Sequence, residues 1–347
     1  MPLIVNTRIM DKHMTGVQRY TQEILERLSI PFRSVSPGSQ FSAGIKGHTW
    51  EQLSLPFKVK KGELLWSPSN TGPLLVSHQV VTIHDIVPID HPEWLSKKFA
   101  QWYQFLLPKL AKRCVHILTD SEFSKSRIID ALCVPEKKVT IAKVGVSDKY
   151  KPIGESVILQ MKQELKLPET PYILSLGSLE PRKNLVTLLK AWKLAQPYIG
   201  DVKLVISGAR GFQRVFGDCQ DSFDDIPNVI YTGHVKDELL PALYSGALMF
   251  FYLSSYEGFG LPPLEAMACG APVCVGNQTS VPEVVGKAGI LVNPFDVDAV
   301  VDVMKTVISG ELNTSLYREA GLQQAKRFGW DEVVAKTARV FDQYLEL

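Results

Sequence analysis

"SSYEGFGLPPLEAMACG" spans residues 254–270. Two carboxylates, Glu257 and Glu265, bracket two glycines, a phenylalanine and the pair Pro262 and Pro263. The run GFGLPP does not read as helix interior, because glycine tolerates backbone angles that other residues avoid and proline has no amide proton to donate. Proline does suit a helix's first turn, where amide protons go unused within the helix. The stretch therefore reads as strand end, loop and helix start. Glu257 sits on the loop at a sheet edge, and Glu265 falls in the first turn of a helix over PLEAMAC. A carboxylate there is favoured by the helix dipole and can accept hydrogen bonds from paired hydroxyls, such as those of a ribose.

The flanking sequence supplies the sheets. LIVNTRI (3–9), VVTIHD (80–85), VHILTDS (115–121) and VTIAKVGV (139–146) read as strands. YILSLGS (172–178), VKLVISG (202–208), VIYTGH (229–234), LMFFYLSS (248–255), APVCVGN (271–277) and GILVNP (289–294) form a second series. Helical stripes lie between them, among them GVQRYTQEILERL (16–28), EFSKSRIIDAL (122–132) capped by Ser121, and NLVTLLKAWKLA (184–195). Strands alternating with helices predict parallel sheets with helices on both faces. The pattern occurs twice, with a polar break near SDKYKPIGES (147–156). The expectation is an α/β protein of two doubly wound domains, 1–155 and 156–328, with a helix in 329–347 returning to the first. Ligands of such sheets bind beyond the carboxyl ends of the strands, near helix N-termini, so the chemistry is expected in a cleft between the two sheets.

Composition agrees. At about 150 residues per domain, 347 residues make roughly two domains. An apolar content of 45% and a charged content of 21% are those of an ordinary globular protein. Five cysteines without CxxC spacing argue against a disulfide framework or a structural zinc site, and for a reducing compartment. The first twenty residues hold no long apolar run, and ALMFFYL (247–253) is far short of the roughly 20 residues that span a bilayer. A cytoplasmic protein is expected, at most peripheral at the inner face of a membrane, and no nucleic-acid partner is expected. The net charge of +2 is uneven: residues 1–150 hold 20 Lys and Arg against 13 Asp and Glu, the remainder 18 against 23. That asymmetry fits an anionic partner of the first half, such as lipid headgroups. KKFAQWYQFLLPKLAKR (97–113) suits such a contact, with Phe99, Trp102, Tyr103, Leu106 and Leu110 on one helical face, a break near Pro108, and Lys97, Lys98, Lys109, Lys112 and Arg113 as charges. Packing of the same face against its own sheet is the other reading.

Several short motifs bear on chemistry. Arg182 and Lys183 follow a strand and precede a helix, and adjacent cations beside free helix amides suit a diphosphate. Gly16 follows the first strand and opens a helix, where backbone amides can approach a phosphate or an acceptor; Arg19, one turn on, would contact phosphate or stay solvated. HDIVPIDH (84–91) offers His84, Asp85, Asp90 and His91, but not at the spacing of a helical metal pair. DVD (296–298) looks like a metal-binding DxD, yet it follows NPF and opens a helix, so Asp296 reads as an N-cap. No GxGxxG occurs, which removes the dinucleotide fingerprint.

EGFGLPPLE fits the E-x7-E signature of the retaining glycosyltransferases of family four, which have the GT-B fold: two Rossmann-like domains facing across a cleft. The resemblance covers nearly the whole chain. TGVQRY (15–20) is similar to the family's N-terminal glycine loop, IHD (83–85) to its histidine strand end, LGSLEPRKNLVTLLKAW (176–192) to its Arg-Lys donor loop, and TGHVKDELLPALYSGA (232–247) to the segment leading into the E-x7-E strand. The resemblance implies that Arg182 and Lys183 neutralise the donor diphosphate as it leaves, in place of a metal. It implies that Glu265 holds the ribose, that Glu257 lies near donor sugar and diphosphate, and that His84 faces the donor sugar. Gly258, Phe259 and Gly260 would bring backbone amides to phosphates or sugar hydroxyls, with Gly16, Gly208, Val235 and Leu261 as further donor-binding positions. The catalytic set it implies is His84, Arg182, Lys183 and Glu257, with no metal and no cofactor.

The implied activity is transfer of a hexose from a nucleotide-sugar to a hydroxyl of a glycan or lipid-linked glycan, with retention of configuration. Mannose from GDP-mannose, in bacterial surface polysaccharide assembly, is the expected case. No side chain stands out as a covalent nucleophile; same-face attack is favoured, and double displacement stays open. A non-catalytic GT-B subunit that binds a sugar nucleotide or scaffolds a partner is the rival, and loss of donor-site residues would mark it.

Overall fold

The computed structural model describes residues 2–11, 16–38, 41–42, 44–177, 180–208 and 226–345. Thr15, Ser178, Leu179 and Cys219, named above, lie outside the described residues. The chain divides into two compact units, Met1–Gly145 with Gly329–Leu347, and Val146–Phe328. The division follows Gly145 rather than the 155/156 break, because the next residues bind into the second unit. Val146 N donates to Phe328 O at 2.9 Å, Lys149 pairs with Asp237 at 3.2 Å, and Ile153 N donates to Ser245 Oγ at 3.1 Å.

The first unit is built on a six-stranded sheet: β1 (Leu3–Asn6), β2 (Phe32–Val35), β3 (Leu64–Ser67), β4 (Gln79–Thr82), β5 (His116–Thr119) and β6 (Val139–Ile141), in the order β2-β1-β3-β4-β5-β6. Every pairing is parallel. A parallel sheet is covered on both faces, which is why LIVN, LLWS, QVVT and HILT are buried throughout. Two strands escape the sequence reading. β2 is an edge strand with three of its four residues exposed, and β3 is a four-residue run with no alternation to mark it. The helices α1 (Gly16–Arg27), α2 (Lys97–Arg113) and α3 (Glu122–Leu132) cover this sheet. Ser121 caps α3, its Oγ accepting from Ser124 N at 3.0 Å.

α2 runs unbroken through Pro108. Its inward stripe is Ala100, Tyr103, Leu106, Leu107, Leu110 and Ala111, at i, i+3, i+4 spacing, and Tyr103, Leu107, Leu110 and Ala111 cluster with Ile83, Ile117 and Ile128. Phe99 therefore falls on the flank, 43% exposed, and Phe105 is 50% exposed with Lys109 Nζ 4.4 Å from its ring centre.

The second unit repeats the plan: β7 (Tyr172–Leu176), β8 (Lys203–Ser207), β9 (Val229–Gly233), β10 (Met249–Tyr252), β11 (Val273–Gly276) and β12 (Ile290–Val292), all parallel, in the order β12-β11-β10-β7-β8-β9. Helices α4 (Leu185–Ala195), α5 (Leu261–Ala268) and α6 (Val297–Ile308) belong to it. α4 and α6 close one face over Trp192, Leu188, Phe251, Val300 and Met304. Burying one such side chain contributes about 1.5–3 kcal/mol. Asp296 caps α6, its Oδ1 accepting from Ala299 N at 3.0 Å, so this acid is engaged in helix initiation. The final helix, α7 (Trp330–Leu345), belongs to the first unit: Phe341 packs on the fully buried Trp66 at 5.3 Å between ring centres.

In each sheet one pair of neighbouring strands marks a reversal of strand order, β1 with β3 in the first and β7 with β10 in the second. The chain leaves the two strands of such a pair in opposite directions, which opens a crevice beyond their carboxyl ends.

Candidate active site

In the second unit the reversal between β7 and β10 brings the expected cations and the first glutamate together. After β7, Pro181–Lys183 form one short 3-10 turn, and Asn184, at φ 50°, bends the chain into α4. After β10, residues 253–260 form the loop, and Gly260, at φ 109°, turns it into α5. That angle suits glycine, and a Cβ there would stand 3.3 Å from Val281 Cγ2. Ser254 and Ser255 fasten the two loops, since Ser255 N donates to Arg182 O at 2.8 Å and Ser254 Oγ lies 2.9 Å from the same oxygen.

Glu257 is the hub. Its Oε1 accepts from Lys183 Nζ at 2.6 Å, Tyr252 Oη at 2.8 Å and Ser254 Oγ at 2.6 Å, and its Oε2 accepts from Arg182 Nη1 at 3.0 Å. Burial alone would push this carboxyl up, but the charges of Lys183 and Arg182 outweigh it and hold the group at about 2. Burial pulls Lys183 down, and the attraction of Glu257, opposed by Arg182, does not recover it. Arg182 is also held by Glu180, Nε to Oε2 at 2.6 Å. The result is two cations and one buried carboxylate at the carboxyl edge of a parallel sheet, beside the start of α4.

Glu265 stands apart from this cluster, on α5. α5 begins at Leu261 and takes Pro262 and Pro263 into its first turn, so Glu265 is the fifth residue rather than a first-turn acid. The helix-dipole argument loses its force there. Glu265 is buried and accepts from Tyr244 Oη at 3.2 Å. Gly258 and Phe259 are buried in the loop, and Ser280 Oγ donates to the carbonyls of Glu257 or Phe259, each at 2.8 Å. Gly208 and Val235 stand beyond β8 and β9, one and two strands from β7, with Gly208 N donating to Gly233 O at 2.9 Å. Sequence reasoning missed Tyr252 and Ser254, although both lie within five residues of the glutamate.

In the first unit Gly16 is exposed at the start of α1. His84 follows β4 and is buried. Its Nδ1 lies 2.7 Å from Asp120 Oδ2, and its Nε2 lies 2.9 Å from Pro68 O. The Pro68 carbonyl and an ionised Asp120 only accept, an arrangement that favours a proton on each ring nitrogen. Burial pulls its pKa down, and Asp120, by charge and hydrogen bond, with the Pro68 carbonyl raises it above the usual histidine value. The ring nitrogens are thus committed within this unit, and the ring edge meets Tyr20 at 4.9 Å. Asp90 forms a two-point pair with Arg127 at 2.7 and 3.0 Å, and His91 stacks on Trp94 at 3.9 Å.

Residues 157–326 match the family described as "Glycosyl transferases group 1". The chain is 36% identical over 284 residues to O-antigen chain mannosyltransferase B of Escherichia coli, covering 81% of this chain and 74% of that protein. It is 30% identical over 263 residues to serotype-specific mannosyltransferase WbdA of Escherichia coli, covering 72% of this chain but only 32% of that much longer protein. The fold superposes on Anabaena HepE, solved in complex with UDP and glucose, with a TM-score of 0.75, 17% identity, and coverage of 98% and 99% of the two chains. A GT-B fold and a relative of this closeness leave one conclusion: the chain belongs to the group 1 glycosyltransferases. It is an enzyme of that class, and all four expected donor-site side chains are present, so the non-catalytic reading is not favoured. Among the described residues no helix is long and apolar enough to cross a membrane.

Proposed function

We propose that this enzyme transfers mannose from GDP-mannose to a hydroxyl of a glycan or lipid-linked glycan, with retention and without a metal. The observation that carries the donor site is the cluster of Arg182, Lys183 and Glu257 at the β7/β10 crevice. Mannose is supported by the names of the relatives, an O-antigen chain mannosyltransferase and a serotype-specific mannosyltransferase. As the bond from the sugar C1 to the diphosphate oxygen breaks, negative charge gathers on that diphosphate. Arg182 and Lys183 supply charge-assisted N–H donors to it, the role a divalent ion fills elsewhere. The acceptor oxygen bonds to C1 on the same face, and its proton passes to the departing phosphate oxygen. Glu265 accepts the ribose hydroxyls on exchanging its Tyr244 contact. His84 keeps its strand end in place as an imidazolium, and Gly16 offers backbone near the acceptor. The exposed Phe99, Phe105, Lys97, Lys98, Lys109 and Lys112 of α2 meet an anionic membrane surface that carries the acceptor.

Thermal shift against GDP-, UDP- and dTDP-sugars tests the donor. A ligand at 100 times its Kd stabilises the folded state by about 2.7 kcal/mol. A shift with GDP-mannose alone is expected; no shift with any of the panel overturns the donor site.

A further inference from the structure

Tyr252 closes β10, is 3% exposed, and has its ring fixed against Phe250 at 5.8 Å between centres and 24° between planes. Its hydroxyl donates to Glu257 Oε1 at 2.8 Å and accepts from Lys183 Nζ. The same ammonium stands 4.9 Å from the centre of the Tyr252 ring, outward beyond the hydroxyl that it donates to. We infer that Tyr252 is a positioning residue of the donor site, holding Glu257 and Lys183 in place while a diphosphate draws the two cations toward itself. The inference rests on the reading that Arg182 and Lys183 meet a diphosphate.

The need for it follows from charge. With no donor, Glu257 is neutralised by two cations. A diphosphate competes for those N–H groups, and the carboxylate is left buried beside a second anion. Such a group is costly unless neutral donors remain on it. Two hydroxyls remain. Ser254 has one proton and lies within reach of the Arg182 carbonyl as well, at 2.9 Å against 2.6 Å for Glu257. Tyr252 gives its proton to Glu257. Burial and the charge of Glu257 raise the phenol well above its usual pKa, so it stays a donor at any working pH. When Lys183 changes partner, the Tyr252 hydroxyl oxygen stays beside it as an acceptor and keeps the ammonium in reach of both.

The test compares wild type with Lys183→Ala, Tyr252→Phe and Ser254→Ala. GDP and UDP binding are measured by calorimetry, and kcat, KM and pH profile with the sugar nucleotide that the thermal-shift panel selects. Tyr252→Phe is expected to bind the nucleoside diphosphate within about threefold of wild type, because the cations are intact. Its kcat should fall by about tenfold or more, the scale of one hydrogen bond to a charged group. Its acid limb should move to higher pH, because Glu257 has lost a donor that favours the charged form. A residue that served only as packing would not move that limb. Ser254→Ala should give a smaller loss in the same direction, and it carries the test if Tyr252→Phe fails to fold. Wild-type kcat and an unmoved limb in Tyr252→Phe, with Lys183→Ala impaired, overturn the role of Tyr252. Lys183→Ala indistinguishable from wild type in binding and turnover overturns the diphosphate reading itself.

Discussion

Lys183 Nζ lies 2.6 Å from Glu257 Oε1, so the cation assigned to a leaving diphosphate already has a carboxylate partner from the loop of the adjacent strand. The arrangement solves a storage problem. Two half-buried positive charges side by side repel each other and lose hydration, and a pre-placed counter-ion favours their charged forms and aims them. On the proposed reading, donor binding exchanges one anion for another at these two cations.

Replacing Lys183 with Ala removes a donor that matters most when the leaving group carries full charge. Turnover should fall at least ~100-fold, the scale of losing one preorganised electrostatic donor. Steady-state kinetics on a variant with a wild-type circular dichroism spectrum decide the matter. Near-normal turnover would remove Lys183 from the reaction.

Chelation probes the same division of labour. Assays in excess EDTA should retain most of the activity. Abolition by EDTA with rescue by manganese or magnesium would return the leaving group to a metal, although Asp296 of the DVD run is occupied as a helix cap.

Acid stability should report Glu257. Its folded pKa, about 2, is below that of an ordinary carboxyl, so its stabilisation is present above about 4.5 and is lost as pH falls toward 2. The full swing is roughly 3 kcal/mol at 1.36 kcal/mol per unit. Melting curves between pH 5 and 3 should show wild type losing more stability than Glu257→Gln. Parallel losses would mean that the carboxylate is not held by its cations.

The His84–Asp120 pair has the opposite sign. A raised histidine pKa stabilises fully below the unfolded value of about 6.5, and the stabilisation fades as pH climbs through the folded value. Asp120→Asn leaves a buried imidazolium without its counter-ion and should cost about 3 kcal/mol at pH 6. Between pH 6 and 9 wild type should lose more stability than the variant; an equal loss in both would show that the ring is not charged.

Anionic liposomes test the membrane face. Each Lys near such a surface contributes about 1 kcal/mol, and the Debye length falls to a few ångströms near half-molar salt. Co-sedimentation is expected at low salt and should be largely lost above roughly that concentration. Changing Lys97, Lys98, Lys109 and Lys112 to Gln should weaken it while leaving nucleotide binding intact. Equal binding to neutral and anionic liposomes, or none to either, would remove the membrane from the reading.

All six strands of the second sheet were legible: β10 and β11 are apolar runs buried throughout, and YILSLGS and LMFFYLSS end in polar or glycine residues. The E-x7-E run disclosed its loop and helix for the same reason. What escaped depends on pairing rather than composition. β2 survives as a strand only by hydrogen bonding to β1, and its exposed FRSV carries no pattern of its own. The turn that Glu265 occupies depends on where α5 begins, and Leu261 joined the helix ahead of the two prolines. The partner of His84, Asp120, is 36 residues away, and only the fold places the Tyr252 hydroxyl over a loop that begins one residue later.

The position of α7 has a consequence for biosynthesis. Trp330 lies so close to Gly145 that a Cβ there would stand 2.7 Å from its ring, and Phe341 covers Trp66 in the middle of the first unit's sheet. A ribosome must therefore make all of Val146–Phe328 before the last wall of the first unit exists. Until then the nascent first unit exposes Trp66 and the groove around Gly145, while the second unit, contiguous in sequence, can close as soon as Phe328 leaves the exit tunnel. The half made first is finished last, and a chaperone that holds the nascent chain would have its target on the early half.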